Sequence, residues 1–171
     1  MSLLRTIDCT SYVNFLHVTH EFLYAIVASK LTSFDVATFE PVTETADEDY
    51  VSFACASGLL FCGSSLSGHL SSDHLEVVVL DSRTLAEQRR FGGVVLHEST
   101  GVLHLEVVGE ELYAVCSCHG RIHVFSFAGE HLRDINGGWR EAARICHYND
   151  RLYLYEYIGE DEEAVENERE W

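Results

Sequence analysis

Five residues with soft-metal ligand chemistry fall in two tight groups late in this 171-residue chain: Cys116, Cys118 and His119, then Cys146 and His147. Thiolate and imidazole are the ligands zinc takes most readily. Their spacing argues for a different role. A Cys-x-Cys pair on one strand sends both thiols to one side, whereas structural zinc sites draw ligand pairs from turns, so buried free thiols are expected here. A second group, His69, Asp73 and His74, lies in a stretch rich in serine and glycine and reads as a loop that contacts a partner.

A third group is His17, His104, Glu106 and Arg144, polar residues embedded in apolar runs. A histidine–glutamate pair can carry out general acid–base catalysis, so one reading is a small hydrolase with a polar or metal-bearing centre around His17, His104 and Glu106. The plainer reading is a polar lock, in which a buried Glu106 needs a partner and Arg144 supplies the opposite charge. The sequence contains no Gly-x-Ser-x-Gly elbow, no P-loop and no Gly-x-Gly-x-x-Gly. Asp35 and Asp81 are expected to cap turns rather than attack bonds. The acidic end, Gly159 to Glu170, lacks the Asp-x-Asp-x-Asp-Gly spacing of a calcium loop. No catalytic, cofactor-binding or metal-binding residue is therefore assigned, and no cofactor is expected.

The elements that must position these groups repeat along the chain. A Leu-aromatic pair opens an apolar strand at Leu23-Tyr24, Leu60-Phe61, Leu112-Tyr113 and Leu152-Tyr153, separated by 37, 52 and 40 residues. Each pair follows another strand-like segment and a turn: Phe15 to Val18, Phe53 to Cys55, Leu103 to Val107 and Ala143 to His147, with Gly109-Glu110 and Asn149-Asp150 suited to tight hairpins. Third segments begin at Phe34, Leu80 and Phe125, and short fourth strands are expected near Glu40 to Thr43, Glu87 to Phe91 and Leu132 to Ile135. Four antiparallel strands per unit of about 40 residues make the blade of a β-propeller. Aligning the leucines puts His17, Ala54, Glu106 and Cys146 in one column. Phe15, Ser52, His104 and Arg144 then lie two residues earlier, all near the axis.

These units resemble propeller repeats of the WD40, kelch and NHL kind, with Gly120-Arg-Ile-His-Val-Phe-Ser-Phe-Ala-Gly-Glu130 most similar to an NHL blade. The expected fold is all-β, a small propeller of about four four-stranded blades over residues 1–157, followed by an acidic tail or edge strand over 158–171. Leu4-Arg5-Thr6-Ile7 mirrors Leu132-Arg133-Asp134-Ile135, so the N-terminal strand is expected to close the last blade and hide its edges. The alternative is an open propeller completed by another chain. Glu141 to Arg144 offers the best helical stretch, but the repeat places it in a loop and strand.

Charge narrows the choice of partner. Eleven Lys and Arg face 28 Asp and Glu, a formal charge of -17. The last 16 residues hold eight acids and one base, so they supply -7 of it. So negative a surface repels phosphates and anionic headgroups, which makes nucleic acid and membranes unexpected and a basic protein partner the natural complement. Serines, glycines and His69 interrupt the longest uncharged stretch, Val51 to Ser72, so no membrane helix is expected. Arg5 and Asp8 break any N-terminal apolar signal, which points to a cytoplasmic protein with six reduced cysteines. The function expected on these grounds is a non-enzymatic protein-interaction scaffold, monomeric or homodimeric. A structural subunit that assembles a larger propeller is the other non-catalytic possibility.

Overall fold

The computed structural model describes residues 13–28, 30–46, 50–65, 75–93, 95–96, 103–116, 120–137, 139 and 142–156. The expected closing strand Leu4 to Ile7, the loop residues His69, Asp73 and His74, Cys118, His119 and the acidic end lie outside them.

Fourteen strands fall into repeated antiparallel units. The first blade is β1 (Val13–Val18), β2 (Phe22–Val27), β3 (Lys30–Asp35) and β4 (Pro41–Glu44), bonded in that order. The second is β5 (Tyr50–Ala56), β6 (Leu59–Ser65), β7 (Leu75–Asp81) and β8 (Glu87–Phe91). The third is β9 (Leu103–Val108), β10 (Glu111–Cys116), β11 (Arg121–Ser126) and β12 (His131–Asn136). The hairpin β13 (Ala142–Tyr148) and β14 (Arg151–Glu156) begins a fourth. The chain is thus an all-β propeller, partial among the described residues, and the stretch with the best helical composition enters a strand.

The leucine anchors are structurally equivalent. Leu23, Leu60, Leu112 and Leu152 are each the second residue of their strand, paired with Val18, Cys55, Val107 and His147. The first three are buried and Leu152 is half-buried. Turn chemistry fixes these registers. Ser57-Gly58 and Asn149-Asp150 have positive φ at both central positions, the backbone that two-residue hairpins require.

The segments beginning at Phe34 and Leu80 repeat for a reason other than strand formation. Their strands end at Asp35 and Asp81, and each aspartate opens a turn. Asp35 Oδ1 accepts from the amides of Ala37 and Thr38 and from the Thr38 hydroxyl; Asp81 Oδ1 does the same with Arg83 and Thr84. Those bonds hold both carboxyls below the ordinary aspartate range. The third blade turns with Ser126 and Gly129 instead.

Strand alternation gives every complete blade two apolar faces. In the second blade Phe53, Leu60, Cys62, Val78 and Leu80 pack on Tyr24, Ile26 and Leu31 of the first. The opposite face, with Phe61, Val77 and Val79, meets Leu103, Leu105, Leu112, Ala114 and Phe125 of the third. The third blade turns Tyr113, Val115, Ile122 and Val124 toward Ile145, Leu152 and Leu154. Strands buried on both faces read as continuous apolar runs, as these sequences do.

Candidate functional site

The first strand of each unit, β1, β5, β9 and β13, carries the polar column. Alternate residues point along the ring, so each column residue faces the next blade. Ser52 of β5 reaches β9, where its hydroxyl donates to the Leu103 carbonyl at 2.5 Å. His104 and Glu106 of β9 reach β13. His104 Nδ1 accepts from the Ile145 amide at 3.4 Å, and Glu106 Oε1 from the His147 amide at 3.2 Å.

This pattern corrects the expected ion pair. Among the described residues no ion pair joins Glu106 to Arg144, whose side chain is exposed and whose charge acts on His104. The reason lies in the backbone. The first strand of a blade has one edge without a partner strand, so alternate amides of β13 point out of the sheet and must be satisfied from elsewhere. Side chains of β9 fill that place, and Glu106 Oε1 accepts there from the His147 amide.

The electrostatics follow from burial. Desolvation first, and the Arg144 charge second, lower His104 to about 4, so its imidazole is neutral and Nδ1 is free to accept. Burial raises the Glu106 carboxyl above its usual range, against the opposing effect of the His147 amide. Burial lowers His17, which stands 6.2 Å from the Phe53 ring on the neighbouring blade. Phe15, in the His104 column, lies 5.0 Å from Phe53 and 5.5 Å from the His104 imidazole. Aromatic rings of the first two blades therefore pack beside His104 of the third. The structure brings His104 and Glu106 to one interface, leaves Arg144 exposed near His104, and places His17 at another interface.

The chemistry of His104 has a pH consequence. Between about pH 6.5 and pH 4 the unfolded chain binds a proton that the folded site excludes. Stability contributed by neutral His104 is full above pH 6.5 and is lost as pH falls toward 4, by up to roughly 3 kcal/mol. Glu106, with a raised folded value, acts in the opposite direction. Urea unfolding at pH 7.5, 6 and 5 should show a steeper acid loss in the wild type than in His104→Asn. Parallel loss in both proteins would remove His104 from the account.

Among the described residues, Cys116 and Cys146 do not converge. Cys116 is buried between the second and third blades, whereas Cys146 is exposed on the face of the last hairpin that points away from the third blade. Blade three lies between them, so Cys116 is a core thiol as expected.

A different cluster has no counterpart among the residues singled out from the sequence. His123 on β11 pairs directly with Asp134 on β12, and a bulge at Val124/Phe125 sets His131 opposite Phe125. His123 Nδ1 lies 2.8 Å and His131 Nε2 2.7 Å from the same oxygen, Asp134 Oδ1. The signal was present as His123, His131 and Asp134, eight and three residues apart, but only the hairpin register makes them neighbours.

No protein-family model and no curated protein matches this chain. Solved structures do. BamB from Moraxella catarrhalis is similar at a TM-score of 0.65 and 19% identity, over 82% of this chain and 39% of that one. The WD40 repeats of RRP9 match at 0.65 and 12% over 88% of this chain and 46% of theirs, so this chain spans less than half of either protein. The computationally designed Ika4 protein matches at 0.68 and 15%, over 91% of this chain and 92% of its own. Such likeness carries the fold: the chain is built from β-propeller blades of the kind found in WD40 and BamB structures.

Proposed function

We propose that this chain is a non-enzymatic interaction module that binds a basic protein partner. The observation that carries the proposal is the apolar surface left open on its first and last units. Leu16 and Val18 on β1 are each 57% exposed, and Tyr148 and Tyr155 on the last hairpin are 65% and 56% exposed. Exposed aliphatic and tyrosine side chains on a rigid sheet are the composition of protein interfaces, and tyrosine is enriched among residues that dominate binding energy. The formal charge of -17 favours a basic partner by steering and complementarity. Support also comes from the centre, where Glu106 and His104 are engaged with backbone amides rather than aimed at open space. The stretch holding His69, Asp73 and His74 is proposed as a further contact for the partner.

The second reading, a subunit that assembles a larger propeller, draws on the same exposed faces and on the match to less than half of BamB and RRP9. One comparison separates the two. The wild type and a Tyr148→Ser/Tyr155→Ser variant are sized by light scattering and then used to capture partners. A monomer whose reproducible basic partner is lost in the variant supports the interaction module. A self-assembled wild type that the variant reduces to monomer supports the larger ring. A monomer that captures nothing, or captures equally in both forms, rejects both uses of this surface.

A further inference from the structure

We propose that His123, His131 and Asp134 form a binding site for a divalent first-row transition metal of the zinc class, on the β11–β12 hairpin of the third blade. The three ligand atoms lie within 4.8 Å of one another, and two of the three separations are already below 3 Å. A tetrahedral ion with bonds near 2.0–2.1 Å needs its ligand atoms about 3.3 Å apart. The imidazoles must therefore part from the carboxylate by about half an ångström, and their two nitrogens, within 4.8 Å of each other, must settle to the same spacing.

The donors are suited to the ion. Two imidazoles and one carboxylate match zinc and its neighbours rather than magnesium or calcium, which take oxygen ligands. Three protein ligands leave a fourth position open for water or another molecule. His123 is buried while His131 and Asp134 open to solvent, so the site has a fixed inner ligand and an approach for the ion. Both imidazoles now point a nitrogen at Asp134 Oδ1. For a neutral ring donating there, metal entry requires the proton to move to the other ring nitrogen, which exposes the lone pair with no net proton released.

The surroundings hold the rings in place. Phe125 lies 5.4 Å from His131 and 5.4 Å from Phe91 of the second blade, so the exposed imidazole rests on an aromatic pair that spans the blade interface. The strands are bonded on both sides of the cluster and closed by a short turn with Gly129. Asp134 Oδ1 is shared by a ring nitrogen from each imidazole, and its carboxylate supplies the anionic donor of the set. The carboxylate is thus the charge that makes the site attractive.

Cobalt(II) is the probe, because its spectrum distinguishes nitrogen and oxygen ligands from thiolates, and this chain carries six cysteines. The 171-residue chain under reducing conditions should bind one equivalent that zinc displaces, with ligand-field bands and no thiolate charge transfer. His131→Ala and Asp134→Asn, both at solvent-open positions, should each weaken binding by roughly tenfold or more. Paramagnetic broadening of the wild-type amides should centre on β11 and β12, a readout that needs no variant. Thiolate charge transfer from the bound equivalent, unchanged titrations in both variants, or no binding at millimolar cobalt would each overturn the proposal.

Discussion

Leu112→Ala is expected to lower the free energy of unfolding by about 2 to 5 kcal/mol, measured as a shift in the urea midpoint. The side chain is fully buried, paired in register with Val107 on one side and Phe125 on the other, in the core between the second and third blades. Its neighbours belong to strands whose registers are fixed by hairpins and bulges, so the cavity cannot collapse cheaply. Leu152, the equivalent residue of the last hairpin, is only half-buried, and Leu152→Ala should cost distinctly less. Equal losses would mean that the last unit is as well packed as the third. An unchanged midpoint for Leu112→Ala would reject its place in the core.

Gly120→Ala should be comparably damaging for a different reason. Gly120 immediately precedes β11 with φ +57°, and a Cβ there would overlap the Trp139 carbonyl oxygen and come within 2.9 Å of its carbonyl carbon. Left-handed backbone strain on alanine and forced overpacking together suggest about 2 to 5 kcal/mol. The obstacle is backbone, which cannot rotate aside, and the Trp139 side chain is itself buried between the third and fourth units. Gly109→Ala is the control: its φ is +62°, but nothing lies within 4 Å of the added carbon. The two variants share the backbone strain, so the difference in their thermal midpoints isolates the steric conflict. Equal shifts would show that the approach of Trp139 is not confining.

Blade architecture was legible in the sequence because it depends on local patterns. The four leucines, the turns at Gly109-Glu110 and Asn149-Asp150, and the spacing of the fourth strands are properties of single hairpins. The repeat from Phe34 and from Leu80 was also visible, yet its cause is the Asp-x-x-Thr turn rather than a strand. Local similarity does not say which backbone state it serves. The column of His17, Glu106 and Cys146 follows from the leucine alignment, but the partner of Glu106 does not. Opposite charge suggested Arg144, whereas an unpaired strand edge supplied a nearer donor, the His147 amide. The His123–His131–Asp134 cluster was hidden for a similar reason: one bulged residue decides which side chains meet across a hairpin.

The unequal interfaces between blades have a consequence for how the molecule opens. The second and third sheets share the largest apolar cluster, while β13 and β14 dock with half-buried leucines and two side-chain acceptors. In a chain of units that pack mainly on their sequence neighbours, cooperativity is only as strong as each junction. Hydrogen exchange would thus divide the described strands into at least two foldons, with β13–β14 detaching before the β5–β12 pair of sheets unfolds. Fluctuations of that hairpin would expose the largely aliphatic face of blade three for brief intervals, while the inner pair of sheets kept its form.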